Sequence, residues 1–172
     1  ISDCLVGSEM CIRDSANAIT YVNAVPHFVD VSKDSMSVCH KHLRDYFEKN
    51  LIIEDHEAKN ANTGRRVSAF LGVHAFGFSM DTRAIEKVCA DFYLDFIEDA
   101  ACSIGAEYEG RPVTSNSRLA SMSFNGNKVI TCGGGGAVLT NCADIASRVK
   151  HISTTAKKPH PWEYYHDEIG FN

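Results

Sequence analysis

The sequence predicts an α/β domain built around a largely parallel sheet. Strand-like apolar runs alternate with helix-like amphipathic segments along the chain, which is typical of this class. One run, residues 67–74 (VSAFLGVH), is apolar almost throughout, as strands buried on both faces are. Polar residues follow several of the runs directly. We therefore expect a layered domain with helices on both faces of the sheet.

The first half of the chain supplies two predicted strands and two predicted helices. A β-rich run at residues 24–31 predicts a strand. Residues 36–50 carry Val38, Leu43, Tyr46 and Phe47 at helical spacing and predict a helix. Residues 54–66 are polar and predict a loop before the strand at 67–74. Asp81 is a suitable N-cap for a helix that reaches Cys89, with Ile85 and Val88 on its inner face.

The second half continues the alternation with shorter elements. Strands are predicted at residues 92–97, 119–124 and 137–140, and a helix at 144–152. The tail beyond residue 156 is polar and aromatic without clear periodicity. We expect the strands around Phe28, Phe70 and Phe96 to lie side by side.

The first fifteen residues (ISDCLVGSEMCIRDS) resemble a translated sequencing-adapter string of the CLVGSEMCIRDS type. They lack the basic start, the apolar stretch and the cleavage site of a secretory signal. The alternative is a genuine strand-and-loop opening. We expect residues 1–15 to be non-native and to pack poorly or irregularly. Because the chain also stops abruptly at Asn172, we expect it to be a fragment of a longer protein.

Composition narrows the classes of partner. The formal net charge is −5, the pI is about 5.9 and no Lys/Arg block occurs, so a nucleic-acid partner is not expected. No apolar run approaches the roughly 20 residues of a membrane helix. The seven cysteines are scattered and form no CxxC pair, which predicts neither a metal site nor a disulfide framework. Reduced thiols in a cytoplasmic protein are the plain interpretation.

Asp99 and Lys128 are the two residues whose surroundings suggest chemistry. Ligands of parallel sheets bind beyond the carboxyl ends of the strands, where His74, Asp99 and the loop 125–136 are expected. A carboxylate among apolar residues needs a partner, and a protonated pyridine nitrogen is one candidate. The alternative is an aspartate that closes a strand-to-helix turn. Lys128 could supply an amine for covalent catalysis, or could be an exposed loop lysine.

The residues around this pair give weaker signals. The four glycines 133–136 allow a close backbone approach but match neither a P-loop nor a GxGxxG motif. Ser123 could donate a hydrogen bond to a phosphate, or could simply satisfy a strand end. His74 is more typical of a hydrogen-bonded core histidine than of a ligand-binding one. Cys102 and Cys132 lack a neighbouring histidine that would activate them.

Five segments, taken in order, resemble the DegT/StrS family of nucleotide-sugar aminotransferases. They read NAITYVNAVPHFVDV, VHAFGFSMD, IEDAACSIGAEYEGRPV, SFNGNKVITCGGGGAVLTN and HDEIGFN, and the resemblance covers residues 16–172. The combination of EDAA with SFNGNK and GGGG at this spacing is specific. The resemblance implies a three-layer αβα large domain of fold type I, like that of aspartate aminotransferase. Residues 16–172 would be its central, pyridoxal-phosphate-binding part.

The family implies a role for each matching residue. Lys128 would hold pyridoxal 5′-phosphate covalently and move a proton between substrate and cofactor, so it is the predicted catalytic residue. Asp99 would pair with the pyridine nitrogen and Ser123 would bind the phosphate. Asn172 matches the asparagine of a G-[YF]-N-[YF]-R element, which reaches the phosphate bound in the partner subunit. His74 matches a family histidine to which we assign no role.

Two departures from the family pattern bear on the site. Position 102, which lies against the cofactor ring, is commonly Gln, His or Glu in the family, and Cys102 is a poorer hydrogen-bonding partner. The family's upstream phosphate loop and ring-stacking aromatic fall before residue 16, and its small domain is missing. We therefore expect the parent to be an enzyme and the fragment itself to be inactive.

The resemblance predicts a transaminase that moves an amino group from glutamate to a nucleotide-linked keto sugar. A 4-keto-6-deoxy hexose is the expected substrate, used for surface polysaccharide or amino-sugar biosynthesis, in a cytoplasmic homodimer. One alternative is a pyridoxal-dependent sugar dehydratase, in which histidine replaces the lysine that this chain retains at Lys128. Another is a non-catalytic or regulatory relative of the same fold.

Overall fold

A mixed sheet runs through the computed structural model, which describes residues 3–7 and 12–171, with side chains from residue 13 onward. The strands that make it up are β1 (Asp3–Gly7), β2 (Val25–Phe28), β3 (Leu51–Glu54), β4 (Glu57–Asn60), β5 (Arg66–Val73), β6 (Asp95–Asp99), β9 (Leu119–Ser123) and β10 (Gly136–Leu139). Two short strands, β7 (Glu107–Tyr108) and β8 (Arg111–Pro112), pair separately. The helices are α1 (Ile12–Tyr21), α2 (His40–Asn50), α3 (Thr82–Asp91) and α4 (Ala143–Ile152).

The main path of the sheet runs in the order β10-β9-β6-β5-β1-β2. All neighbours along it are parallel except β9 and β10, which pair antiparallel. Phe70 lies opposite Phe96 in the β5–β6 register, so these two strands are neighbours as predicted. The α/β class and the largely parallel sheet are confirmed.

Residues 3–7 contradict the prediction that the opening segment packs irregularly. They form β1, which pairs in parallel with β2 on one side and with β5 on the other. The strand at Phe28 is therefore separated from the strand at Phe70, and their predicted adjacency is wrong. A short strand that lies between two others forms backbone hydrogen bonds with both of them. These neighbours supply most of the free energy that stabilises it. The foreign origin of residues 1–15 remains a hypothesis.

Helices pack on both faces of the sheet, as predicted. Side chains alternate along a strand, so Phe70 and Phe96 point to one face and Leu71 and Ile97 to the other. The first face carries the main core, where side chains of α2 and α3 pack on the sheet. Phe47 of α2 contacts Phe70 edge-on at a ring distance of 6.3 Å. The second face lies under α1.

A β-hairpin at residues 51–60, which overlaps the predicted loop at 54–66, was not predicted from the sequence. Strands β3 and β4 pair antiparallel, with Glu54 opposite Glu57. Asp55 and His56 form the two-residue turn and have φ values of 50° and 62°. Such turns favour Asn-Gly, but Asp and His enter the left-handed region more readily than most residues. The polar sequence of β4 (EAKN) concealed this strand, although two of its four residues are buried.

The other predicted elements are all present, but α2 begins at His40 rather than at residue 36, β2 spans only Val25–Phe28, and α1 was not predicted. The Asp81 carboxylate accepts a hydrogen bond from the Ala84 amide and caps α3. The strand predicted at 92–97 begins only at Asp95, because Phe92 and Leu94 donate backbone hydrogen bonds to Cys89 and close the end of α3. Tyr93 between them has a φ of 58°.

Polar contacts hold the tail that follows α4 to this helix. No residue of α4 is buried. His151 on α4 contacts Asp167 at 2.8 Å, and Arg148 pairs with Glu168. Large apolar side chains of this tail, including those of Trp162 and Ile169, remain exposed. Among the described residues, no helix is long and apolar enough to cross a membrane.

Candidate active site

A cavity of about 1050 Å³ lies between α1 and the second face of the sheet. Its walls include Asp99 at the end of β6, Ser123 at the end of β9, and Lys128 in the loop that follows. Ligands are expected beyond the carboxyl ends of parallel strands, and β6 and β9 both end there. The structure thus brings together three residues that lie up to 29 positions apart in the sequence.

Asp99 is held by two donors, one for each carboxylate oxygen. The Ser15 hydroxyl on α1 donates to Oδ2 at 2.8 Å, and the Ala101 amide donates to Oδ1 at 3.0 Å. The second contact closes a turn, but β6 is followed by turns and then by β7, so the strand-to-helix turn of the alternative interpretation is not formed here. Asp99 closes this turn and also lines the cavity. Neither of its hydrogen bonds comes from a cationic side chain.

Lys128 reaches the cavity from the loop between β9 and β10. Its backbone amide donates to the Asn125 carbonyl at 3.0 Å, and its side chain is half-buried rather than fully exposed. Nζ donates to the Cys102 sulfur at 3.2 Å. Among the described side chains, no ion pair joins Lys128 to Asp99, so amine and carboxylate both remain available to a ligand in the cavity.

The loop that carries Lys128 depends on glycine at several positions. Gly133 and Gly135 have φ values of 88° and 125°, a region that side-chain-bearing residues rarely adopt. A Cβ on Gly136 would lie 2.6 Å from the Met122 carbonyl oxygen, so only glycine allows β10 to pair closely with β9. The Phe124 amide donates to the Gly135 carbonyl and closes the loop. The four glycines therefore shape the support of Lys128, with no phosphate loop involved.

Ser123 lies at the last position of β9. Its Oγ accepts a hydrogen bond from the Asn125 amide at 3.3 Å, which leaves its own proton free to donate. Asn125 and Asn127 line the same part of the cavity. A small group of polar donors therefore lies next to Lys128, as an anionic substituent of a ligand would need.

His74 is a buried, hydrogen-bonded histidine that lies behind the site, on the core side. The Met80 amide donates to Nδ1 at 3.3 Å, so Nε2 carries the proton and donates to Glu98 at 2.8 Å. Both side chains are fully buried. The pair joins the segment after β5 to the end of β6, directly before Asp99. Its place in the fold indicates support of the site and no direct contact with a ligand.

One predicted site residue and one cluster of possible metal ligands lie in the C-terminal part of the chain. Asn172 lies outside the described residues. Within the described part of the chain, His151, Asp167 and Glu168 could approach a metal ion together, but they are already engaged in the ion pairs that hold the tail.

Ser15 is the site residue that sequence reasoning missed. It belongs to the segment set aside as foreign, and it lies 84 positions from Asp99. No local motif marks it, because a contact of this separation appears only when the chain is folded.

The chemistry of the cavity suits a planar ring that carries a basic nitrogen, a carbonyl and a phosphate. Asp99 offers a carboxylate for the nitrogen, Lys128 an amine for the carbonyl, and Ser123 a hydroxyl for the phosphate. Leu71, Ile97 and other apolar side chains line the sheet side of the cavity. Its volume exceeds that of one small cofactor and leaves room for a substrate.

Comparison with known proteins gives one matching family and many relatives. The model of the DegT/DnrJ/EryC1/StrS aminotransferase family matches residues 13–172. The chain is 33% identical over 158 residues to the protein EpsN of Bacillus subtilis strain 168. It is 32% identical over 158 residues to the GDP-perosamine synthase of Escherichia coli O157:H7.

These relatives are considerably longer than the chain. Each alignment covers 92% of this chain but only 38% of EpsN and 39% of the GDP-perosamine synthase. The crystal structure of a DegT DnrJ EryC1 StrS aminotransferase from Brucella abortus superposes with a TM-score of 0.83 at 24% identity. The superposition covers 99% of this chain and 43% of the Brucella abortus chain, so the two proteins share a fold. The chain spans about two fifths of the length of these proteins.

Proposed function

Because the chain belongs to the DegT/DnrJ/EryC1/StrS aminotransferase family, we propose that it carries the pyridoxal-phosphate-binding part of a sugar aminotransferase. The observation that carries the proposal is the cavity shared by Asp99, Ser123 and Lys128. These three residues match the family pattern in type and order. The proposed parent is an enzyme, and residues 16–172 are the central part of its large domain.

Each residue has a proposed task toward the cofactor. Lys128 supplies the amine that holds it and then moves a proton at Nζ. Asp99 accepts a hydrogen bond from the ring nitrogen and favours its protonated form, which makes the ring an electron sink when it is bound. Ser123 would donate to the phosphate, and Cys102, whose sulfur accepts a hydrogen bond from Nζ, would lie against the ring. Asn172 is proposed to reach the phosphate of a partner subunit.

The proposed reaction transfers an amino group from glutamate to a nucleotide-linked keto sugar, with a 4-keto-6-deoxy hexose as the expected acceptor. The similarity to a GDP-perosamine synthase supports a nucleotide sugar as the substrate class. The product would enter surface polysaccharide or amino-sugar biosynthesis. We propose a homodimer for the full-length parent. We also propose a cytoplasmic location, with which the free thiols of the five cysteines whose side chains are described accord.

Covalent trapping tests the assignment of Lys128. Pyridoxal phosphate is added to the purified chain, the absorbance near the visible range is recorded, and borohydride is used to fix the cofactor. Peptide mass spectrometry should then find the added mass on Lys128. Lys128→Ala should lose both signals, whereas Lys41→Ala, an exposed lysine on α2, should keep them. A label distributed over several surface lysines would contradict the proposal.

The second candidate is a non-catalytic or regulatory relative of the family. Measuring whether the longer parent aminates a keto sugar nucleotide distinguishes it from the aminotransferase. If the longer parent traps the cofactor on Lys128 but does not aminate any keto sugar nucleotide with glutamate, the regulatory function is favoured. A sugar dehydratase would release its product without consuming glutamate.

A further inference from the structure

Ser15 is a buried residue whose hydroxyl donates to Asp99, which lies 84 positions away in the sequence. Only 4% of its surface is exposed. It lies in the first half of α1, and its Oγ is 2.8 Å from Asp99 Oδ2. A buried hydroxyl without a partner is costly, so this bond is a requirement for packing α1 in its present position.

The Asp99 carboxylate is restrained from two independent directions. The Ala101 amide fixes Oδ1 from the turn that follows β6, and Ser15 fixes Oδ2 from α1. A carboxylate offers about four acceptor positions, so roughly two remain for a ligand. Since the two oxygens are bound to different elements, the plane of the carboxylate cannot rotate without breaking one bond.

Asp14 is the other carboxylate on the cavity wall, and it does not share this arrangement. Its side chain is 81% exposed, and its Oδ1 pairs with Arg13 Nε at 3.1 Å. Asp99 is therefore the carboxylate that is both restrained and partly withdrawn from solvent. Charge-assisted hydrogen bonds depend strongly on orientation, so a fixed plane favours one ligand geometry.

We propose that Ser15 is a positioning residue that orients the Asp99 carboxylate toward a basic ring nitrogen in the cavity. This inference rests on the proposed function, because it names the group that Asp99 recognises. Ser15 itself does not touch the ring nitrogen. Ser15 acts through Asp99. Its removal should therefore weaken the binding of ligands that have the ring nitrogen and leave the binding of ligands without that nitrogen unchanged.

Two phosphorylated ring analogues separate this role from a merely structural one. The first is 4-deoxypyridoxine 5′-phosphate, which keeps the ring nitrogen but has no carbonyl to react with Lys128. The second is its carbocyclic counterpart, in which a CH group replaces the nitrogen. Affinities for both are measured by equilibrium dialysis on the 172-residue chain and on Ser15→Ala, Ser15→Thr and Thr20→Ala. Thr20 is the control because it removes an exposed hydroxyl from the same helix.

Ser15→Ala is expected to bind the nitrogen-containing analogue roughly 5- to 10-fold more weakly, the size of effect that the loss of one ordinary hydrogen bond predicts. Its affinity for the carbocyclic analogue should be unchanged. Ser15→Thr keeps the hydroxyl and should restore binding, and Thr20→Ala should match the unmodified chain. In an Asp99→Asn background, Ser15→Ala should cause no further selective loss.

Two results would contradict the positioning role of Ser15. Equal loss for both analogues would show that Ser15 only supports the fold, and unchanged binding would show that it does not position Asp99. Either result leaves the proposed function intact. Failure of the unmodified chain to bind both analogues would overturn the proposed function and this inference with it. Ser15→Cys, nearly the same size but a weak donor, replaces Ser15→Ala if circular dichroism shows that the alanine variant is unfolded, and the same selective loss is expected.

Discussion

The buried pair His74–Glu98 shows how single residues support the site without lining the cavity. Nε2 and the Glu98 carboxylate are 2.8 Å apart and both side chains are excluded from solvent. The other oxygen, Oε1, is buried and has no hydrogen-bond partner among the described residues. The next residue is Asp99, so the pair helps to fix the strand end that carries the cavity-lining carboxylate.

Removal of the histidine should therefore be costly. His74→Ala leaves the Glu98 carboxylate buried and unpaired, and we expect the free energy of unfolding to fall by about 3 kcal/mol. The matched control is Arg118→Ala, which breaks the exposed ion pair with Asp95 and should cost less than about 1 kcal/mol. Urea denaturation followed by circular dichroism measures both. Similar losses for the two variants would contradict the importance of burial.

Among the elements, the β3–β4 hairpin is held by an unusual turn. Asp55 has a φ of 50° and is exposed, so its conformation is set by the turn and by no packing contact. Asp55→Val places a β-branched side chain in the left-handed region and should lower the free energy of unfolding by about 1–2 kcal/mol. Asp55→Asn tolerates that region and should be close to neutral. Thermal unfolding of the two variants provides the comparison, and equal midpoints would show that the turn has relaxed.

The contact between α4 and the C-terminal tail should depend on pH and salt. The hydrogen bond from His151 lowers the pKa of Asp167, and that from Arg148 lowers the pKa of Glu168. Carboxylates with lowered pKa stabilise the folded form above their unfolded pKa, and this contribution disappears as the pH falls through the folded value. The tail should therefore detach below about pH 4.

Amide protection reports this detachment directly. The Thr155 and Phe171 amides donate to the Phe171 and Ile152 carbonyls across the contact. Their hydrogen-exchange protection should be lost on acidification while that of β5 is retained. Because the ion pairs are exposed, about 1 M salt at neutral pH should also weaken protection. Protection that is insensitive to both would show that backbone pairing alone holds the tail.

At the scale of the whole molecule, the share of its relatives' length that the chain covers bears on whether it is active by itself. It spans about two fifths of the length of its relatives, and large apolar side chains such as those of Trp162 and Ile169 are exposed at its surface. Catalysis by such sites depends on preorganisation by all of their parts. We predict that the 172-residue chain alone will not transaminate, whereas the longer parent will.

The test is a parallel assay of both proteins with pyridoxal phosphate, glutamate and a keto sugar nucleotide. Aminated product is quantified by mass spectrometry, and light scattering reports the aggregation expected from exposed apolar surface. Robust turnover by the chain alone would show that the missing parts are dispensable. Lys128→Ala in the parent is the control for background amination.

Local patterns in the sequence were sufficient for most elements and for the identity of the chemical groups. The apolar run at β5, the Asp81 cap of α3 and the glycines before β10 act over a few residues, so their signals can be found without the fold. The family pattern supplied the order of Asp99, Ser123 and Lys128. Their convergence on one cavity needed the parallel sheet, which places the ends of β6 and β9 side by side.

Folding in three dimensions settled the features that depend on distant partners. β1 forms a strand because β2 and β5 offer hydrogen bonds on both sides, whereas the sequence left a strand-and-loop opening only as the alternative. The β3–β4 hairpin forms although its turn lacks the favoured residues. Ser15 becomes part of the site because α1 packs over the sheet and places its hydroxyl against Asp99. In each case the stabilising partner is remote in sequence, and local propensity carries no information about it.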